Sequence, residues 1–209
     1  MPRIALLGDS IFDNGAYVAG GPDVLALLQA ELGNEAEVTL GAVDGAVVAG
    51  VAHQVEKLPP GTTHLAVSAG GNDALGSSFL LEQKVRSVGE GVAVLAEVQR
   101  SFAAEHRRML ERVRALGLPT IVATIYDANF PEPQGQVVTT ALSVFNDAIT
   151  RNAFSLGMDL LDLRLICAEA ADYANPIEPS VQGGRKIARA LAGWLRSPQA
   201  TGGLPRVIA

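Results

Sequence analysis

Short aliphatic runs alternate with helical patterns along the chain, and this alternation constrains the fold more than any other feature. Each run is rich in Leu, Ile, Val or Ala and ends in or beside turn residues, as expected for a strand that is buried on both faces. The predicted strands are 3–8, 36–41, 64–69, 119–125 and 158–163. Strands that alternate with helices predict a parallel sheet, because each connection has to cross back over the sheet before the next strand begins.

Four segments between and after these runs carry helical patterns. The first begins near Pro22 and Asp23 and ends at Gly33, and these residue types are typical of helix ends. The others are predicted at 90–116, 137–156 and 182–196. We therefore predict an α/β fold, a three-layer flavodoxin-like sandwich with a five-stranded parallel sheet of order 2-1-3-4-5 flanked by helices. The length of 209 residues fits a single domain over 1–209.

The composition argues against several classes of protein. Hydrophobic residues make up 48% of the chain and charged residues 18%, which fits a globular protein rather than a disordered one. The net charge of −6 argues against nucleic-acid binding, and there is no basic patch for acidic lipids. No apolar run approaches the length of about 18 residues that indicates a membrane span, and the N-terminal run is too short for a signal peptide. We therefore expect no membrane insertion and a soluble, cytoplasmic protein.

The sequence also lacks the patterns that would indicate a cofactor. It has no Walker motif, no G-x-G-x-x-G and no Cys/His metal cluster, so no cofactor and no metal are expected. Cys167 is the only cysteine, which excludes an intrachain disulfide, and its apolar setting favours a core residue over a nucleophile. No pattern in the sequence indicates an oligomeric state.

Three turns follow the first three predicted strands, and all three leave the same edge of the sheet. The first is Gly8–Asp9–Ser10, the second contains Gly45, and the third is the stretch AGGND, which ends at Asp73. Ligands of such sheets bind at the carboxyl ends of the strands, near the point where the strand order reverses. Each turn alone is a weak signal, but their order, placement and spacing together predict an active site.

This combination suits acyl transfer from an ester to a serine. A nucleophilic Ser10 needs exposure on a sharp turn, which Gly8 permits. The oxyanion of the tetrahedral intermediate needs preorganised donors at about 2.7–3.1 Å. The backbone N–H groups of Ser10 and Gly45 and the side-chain amide of Asn72 are the candidate donors, and the small residue at position 45 lets a substrate approach the backbone.

On these residues the chain resembles the SGNH, or GDSL-type, hydrolase family of esterases, lipases and acyl-transferring relatives. Ser10 matches the nucleophile of the family's first block, Gly45 the glycine of the second, and Asn72 the asparagine of the G-x-N-D block. The resemblance runs from residue 4 to about 195. It implies the same flavodoxin-like fold and a small-molecule acyl ester as the substrate.

The last block departs from the family pattern. There the family has Asp-x-x-His, usually followed by Pro, Ser, a glycine and the final helix. The stretch NPIEPSVQGG, residues 175–184, places Asn175 on the aspartate and Glu178 on the histidine. Neither His53, predicted in the helix after Gly45, nor His64, at the opposite end of the sheet, is expected to replace the missing base.

A glutamate can serve as a general base, but less readily than a histidine. Its ordinary pKa of about 4.3 is roughly two units below that of His, which weakens the base by up to about 3 kcal/mol, and burial would recover part of that deficit. Asn175 is expected either to donate a hydrogen bond to Glu178 or simply to cap the turn. Two functions therefore stay open: a serine hydrolase or acyltransferase with Glu178 as the base, and a catalytically impaired ligand-binding or regulatory protein on the same fold.

The remaining polar residues of the three turns are assigned supporting positions. Asp9 and Asp73 are expected to hold the turns by accepting backbone N–H groups. A second group is expected beside the nucleophile, namely Asp13, Asn14 and Tyr17. The loop 126–136 either shapes the acyl pocket or is a plain surface loop.

Overall fold

The computed structural model describes residues 1–197 and 204–209, and a parallel β-sheet forms its centre. Within these residues the sheet has six strands in the order β2-β1-β3-β4-β5-β8, and every neighbouring pair is parallel. The strands are β1 (Arg3–Gly8), β2 (Glu37–Leu40), β3 (His64–Ser68), β4 (Thr120–Ala123), β5 (Asp159–Leu161) and β8 (Val207–Ile208). The predicted order of the first five strands is confirmed.

The predicted number of strands was wrong, because β8 adds a sixth strand beside β5. In this pair Leu160 lies opposite Val207 and Leu161 opposite Ile208. Two residues are too few to show a period of two in the sequence, so no pattern indicated this strand.

Helices cover both faces of the sheet and complete the three layers. The helices are α1 (Val24–Leu32), α2 (Val51–Glu56), α3 (Gly71–Gly76), α4 (Val88–Arg114), α5 (Gln134–Ser155), α6 (Leu163–Ile166) and α7 (Val181–Arg196). Alternating strand residues separate two buried clusters: Ile4 and Leu6 pack towards α1, α6 and α7, whereas Ala5 and Leu7 pack towards α2, α4 and α5.

Local signals explain where the helices of the first layer begin and end. The Asp23 side chain caps α1 by accepting a hydrogen bond from Ala26 N, and the helix ends at Gly33, whose φ is 53°. Ser180 caps α7 by accepting from the backbone N–H groups of Gln182 and Gly183. The helix boundaries predicted from sequence therefore hold to within about three residues.

A short antiparallel hairpin precedes α7 and brings the last sequence block to the sheet. Its strands are β6 (Tyr173–Asn175) and β7 (Glu178–Pro179). The strand order reverses at β1, which has β2 on one side and β3 on the other. The hairpin, the end of β1 and the end of β3 meet at this point, where such folds bind their ligands.

Candidate active site

The first turn places Ser10 directly after the carboxyl end of β1. Gly8 has a φ of 120°, and a Cβ at this position would lie 1.6 Å from the carbonyl oxygen of Ser68, so the close approach of β1 and β3 requires glycine. The side-chain amide of Gln54 bonds both backbone groups of Gly8: its oxygen accepts from Gly8 N at 2.6 Å, and its nitrogen donates to Gly8 O at 2.8 Å. The turn that carries Ser10 is therefore fixed from both strands and from α2.

Ser10 and Glu178 are in direct contact, although 168 residues separate them in the sequence. The hydroxyl of Ser10 donates a hydrogen bond to Glu178 Oε1 at 2.9 Å. This distance lies within the range of a nucleophile bonded to its general base. The first and last sequence blocks predict that these two residues share one site, and the structure brings them together.

The backbone on either side of Glu178 is held by two buried side chains. The Tyr126 hydroxyl donates to the carbonyl of Ile177 at 2.6 Å, and the Asn14 amide donates to the carbonyl of Pro179 at 3.2 Å. Asn14 also accepts from Val24 N at 2.9 Å, which connects the start of α1 to the hairpin. These contacts fix the Glu178 backbone without any bond to its carboxylate.

The carboxyl of Glu178 lies in a desolvated position. Burial raises its pKa from 4.5 to about 7; the hydrogen bond from Ser10 lowers it, and the negative charge of Asp44 raises it further. The second oxygen, Oε2, is buried and accepts no hydrogen bond within the described residues. A carboxyl with this pKa is partly ionised at neutral pH, and in its ionised form it can accept a proton from Ser10.

A second buried carboxyl, that of Asp9, lies beside this pair. Burial raises its pKa from 3.8 to about 7; hydrogen bonds from Ile11 N and Ser68 Oγ oppose the rise, and the charge of Glu178 adds to it. Asp9 Oδ1 accepts the backbone N–H of Ile11 at 3.2 Å, a bond within its own turn.

The second and third turns are joined to each other by hydrogen bonds. Asn72 Nδ2 donates to Ala46 O at 3.0 Å, and Val48 N donates to Asp73 Oδ2 at 3.0 Å. Gly45 has a φ of 77°, which a glycine adopts without strain, and it is exposed at the tip of its turn. An amide nitrogen has two N–H donors, and the bond to Ala46 uses one of those of Asn72. Asp73 thus holds the neighbouring turn by accepting one of its backbone N–H groups.

Asn175 makes no hydrogen bond to the Glu178 carboxylate among the described residues. Its side-chain oxygen accepts a hydrogen bond from Ile177 N at 2.9 Å, so it caps the hairpin turn. The expected donation from its amide to Glu178 is not found among the described residues, because the side chain turns back on its own loop. Of the two readings of Asn175, turn capping is the one that the geometry supports.

The three histidines lie away from this site. His53 is exposed on α2 beside Glu56, with 3.4 Å between Nδ1 and Oε2. His64 begins β3 and meets the ring of Trp194 edge to face, at the end of the sheet opposite Ser10. His106 is buried within α4, where burial lowers its pKa to about 4.

The residues proposed as a wall beside Ser10 form a connected group. Asp13 Oδ2 accepts from Asp44 N at 2.9 Å, and the Tyr17 hydroxyl donates to Asp44 Oδ2 at 2.9 Å. The loop after β1 thereby holds the turn that carries Gly45.

A cavity of about 830 Å³ opens beside Ser10 and Glu178. Its walls come from residues 71–82, the first halves of α4 and α5, and the loop after β4. They are largely apolar, with Leu95, Leu142 and Phe145 among the residues that face the cavity. Tyr126 and Phe130 also line it, so the loop 126–136 shapes the cavity and is not a plain surface loop. This volume suits a small organic ligand or an acyl chain.

Sequence reasoning missed two residues that build the site, Gln54 and Tyr126. Gln54 is a buried amide between Val51 and Val55 on α2, and a polar residue on an apolar helix face is the one signal that marked it. Tyr126 follows β4 at the same sheet edge as Ser10, but nothing in the sequence shows that its hydroxyl reaches Ile177 O.

Comparison with protein-family models matches the GDSL-like Lipase/Acylhydrolase family over residues 6–186. Sequence comparison with curated proteins gives no match.

Solved structures of the same fold include three lipolytic proteins of bacteria. An extracellular lipase from Streptomyces rimosus has a TM-score of 0.67 at 16% identity, with 94% of this chain and 100% of that chain covered. A lipolytic protein of the G-D-S-L family from Veillonella parvula has a TM-score of 0.68 at 18% identity, covering 94% and 100%. A phospholipase A1 from Streptomyces albidoflavus has a TM-score of 0.65 at 18% identity, covering 94% and 99%. The chain belongs to the GDSL-like lipase/acylhydrolase family, whose members hydrolyse acyl esters.

Among the residues that the structure describes, no helix is both long and apolar enough to cross a bilayer. The same residues contain no group of three or more His, Cys, Asp or Glu side chains arranged to hold a metal ion.

Proposed function

We propose that this protein is a serine acyl-ester hydrolase in which Ser10 is the nucleophile and Glu178 replaces the usual histidine as the general base. The observation that carries the proposal is the hydrogen bond of 2.9 Å from the Ser10 hydroxyl to the Glu178 carboxylate. Family membership supports ester hydrolysis in general, and the assignment of these residues rests on the geometry of the site.

In this mechanism Glu178 accepts the proton of Ser10 as the hydroxyl oxygen attacks the ester carbonyl carbon. The carbonyl π electrons move onto the oxygen, which accepts hydrogen bonds from the backbone N–H groups of Ser10 and Gly45 and from the Asn72 amide. When the carbonyl re-forms, the alkoxide leaves and takes the proton from Glu178. Water then attacks the acyl-enzyme with Glu178 again as base, which releases the acid and restores Ser10.

The raised pKa removes most of the disadvantage of a glutamate base. An ordinary Glu is about two units more acidic than His, whereas burial brings the pKa of Glu178 to about 7. Base strength is therefore comparable, but the charge is not: Glu178 is anionic at rest and becomes neutral when it accepts the proton. Since ionised Glu178 and the nearby carboxylate of Asp44 are both negative, we infer that the site favours uncharged or cationic esters over anionic ones.

A second candidate function is a catalytically impaired protein that binds an acyl ligand in the same cavity. The observation that favours it is that no third side chain orients the Glu178 carboxylate: Asn175 caps a turn, and Glu178 Oε2 has no hydrogen-bond partner among the described residues. In the first candidate the backbone bonds from Tyr126 and Asn14 take over the task of holding Glu178 in position.

Covalent labelling of Ser10 separates the two candidates. We expect a fluorophosphonate to modify Ser10 and the label to be found on its peptide by mass spectrometry. Ser78 is the matched internal control, because it lines the same cavity, makes no hydrogen bond to a carboxylate among the described residues and should stay unlabelled. Labelling should rise with pH through about 7, as Glu178 ionises, and Ser10→Ala should abolish turnover of short p-nitrophenyl esters.

The opposite outcome is also informative. If Ser10 is not labelled anywhere between pH 5 and pH 9 and no ester is turned over, the hydrolase proposal fails. Binding of a non-hydrolysable acyl ligand in the cavity would then support the second candidate. If turnover transfers the acyl group to an added alcohol faster than to water, the protein is a transferase with the same nucleophile.

A further inference from the structure

Exposed apolar side chains gather around the mouth of the cavity. Leu75, Phe79, Leu81 and Val137 line the cavity and are also exposed to solvent, Phe79 by 69% of its surface. Exposed apolar residues are ordinary when scattered singly, whereas a group around one opening marks an interaction site.

The first half of α4 extends this apolar group away from the cavity. Fully buried residues of α4 begin only at Phe102; Val98 is partly buried against the core, and the first turns of the helix are more exposed. Val88, Val92 and Leu95 are spaced four and three residues apart and share one helix face. Leu95 lines the cavity, whereas Val88 and Val92 lie outside it and are 84% and 58% exposed. The apolar face therefore runs without a break from the cavity wall to solvent.

We define the mouth patch as Leu75, Phe79, Leu81, Val88, Val92 and Val137. Its continuity with the cavity indicates what covers it. Four of its members are also cavity walls, so a rigid partner seated on the patch would close the entrance that a substrate needs. A lipid surface would instead present hydrocarbon to the patch and leave the entrance open to a single chain.

The charges beside the patch indicate which kind of lipid surface fits. Glu82, Lys84, Arg86 and Glu90 balance one another, and Arg86 donates hydrogen bonds to the Glu90 carboxylate. The whole chain carries a net charge of −6, which anionic lipids would repel. We propose that the mouth patch docks on an uncharged or zwitterionic lipid surface, from which an acyl chain enters the cavity. The docking itself does not depend on the proposed hydrolysis. Only the cleavage of the acyl ester that enters the cavity rests on the proposed function.

Co-sedimentation with phosphatidylcholine vesicles tests the docking without any turnover. The full-length protein should sediment with the vesicles, and Val88→Ser/Val92→Ser should weaken the partitioning by about tenfold or more, because two exposed apolar contacts are lost. Leu116→Ser is the matched control, since Leu116 is exposed just after the far end of α4 and its loss should change nothing. Turnover of a monomeric short ester should be the same in all three proteins, because neither valine lines the cavity.

Several results would overturn the docking proposal. The first is wild-type protein that stays in the supernatant, and the second is equal sedimentation of Val88→Ser/Val92→Ser. A third is binding that requires anionic lipid, which would assign the contact to Lys84 and Arg86. A fourth is a dimer, seen by light scattering, that the double variant abolishes, since a second copy would then cover the patch. Two readouts separate the docking proposal from the hydrolase proposal. Ser10→Ala should sediment with the vesicles as wild type does, although it turns over no ester. Wild-type protein that sediments but shows no turnover would refute the hydrolase proposal alone.

Discussion

Replacing Glu178 by Gln should remove a pH-dependent loss of stability and lower the activity, and the structure gives the size of the first effect. Burial raises the pKa of Glu178 from 4.5 to about 7 in the folded protein. Between these two pH values the folded state holds a proton that the unfolded state has released. The contribution of the protonated Glu178 carboxyl to the free energy of unfolding is therefore complete below about pH 4.5 and is lost as the pH rises through about 7.

Each pKa unit corresponds to about 1.36 kcal/mol, so the loss amounts to about 2–3 kcal/mol between pH 5 and pH 8. Glutamine has no charge to desolvate and escapes this loss. Its amide nitrogen, in the place of the unpartnered Oε2, costs stability instead, but that cost is the same at both pH values. The difference between wild type and Glu178→Gln should therefore shift by about 2–3 kcal/mol in favour of the variant from pH 5 to pH 8.

Urea denaturation of the two proteins at pH 5 and pH 8 measures this shift directly. Glu97→Gln is the control, because Glu97 is exposed on α4. Its free energy of unfolding should differ from that of wild type by the same amount at pH 5 and at pH 8. At pH 8 the same Glu178→Gln protein should lose at least about 100-fold in kcat/KM on a short ester, since an amide cannot accept the Ser10 proton. If wild type and Glu178→Gln differ in free energy of unfolding by the same amount at both pH values, no buried charge exists at position 178. An undiminished kcat/KM would remove Glu178 as the base.

Two more substitutions test the rest of the site. Asn72→Ala should lower kcat by about 10²–10³ with little change in KM, as measured by steady-state kinetics, because it removes the proposed side-chain oxyanion donor; an unchanged kcat would leave the backbone N–H groups as the sole candidate donors. Gly8→Ala should cost more than about 4 kcal/mol in urea denaturation, because its Cβ would meet the carbonyl oxygen of Ser68 at 1.6 Å; a loss below about 1 kcal/mol would contradict the fixed geometry of the first turn.

The parts of the fold that could be predicted were those with a repeating pattern. The strand 3–8 coincides with β1, because an aliphatic run between a basic residue and a glycine has few alternative structures. The capping residues Asp23 and Gly33 likewise placed α1. The strand Val207–Ile208 could not be predicted, because two residues carry no periodicity and its pairing with β5 depends on the completed sheet edge.

The candidate site shows the same division between local and distant determinants. Ser10 and Glu178 could be assigned by their sequence blocks, and their contact depends only on the common fold. The raised pKa of Asp9 could not be predicted, because it follows from burial beneath residues that are distant in sequence. Asn175 shows the limit of residue type as a guide: an amide can donate or accept, and the hairpin geometry decides that its oxygen accepts from Ile177.

The bridge formed by Asn14 has a consequence for the order in which the molecule folds. Its side chain joins the start of α1 to the hairpin that carries Glu178, and Gly184 packs against Val24 and Leu27 of α1. The bond from Asn14 to Pro179 spans 165 residues, and the entropic cost of closing so long a loop slows its formation. During synthesis Ser10 emerges early, but its carboxylate partner arrives only after most of the chain has left the ribosome. A nascent chain therefore carries an unpaired Ser10 until residue 178 has been made and the hairpin docks, so the pair on which the proposed mechanism depends forms late.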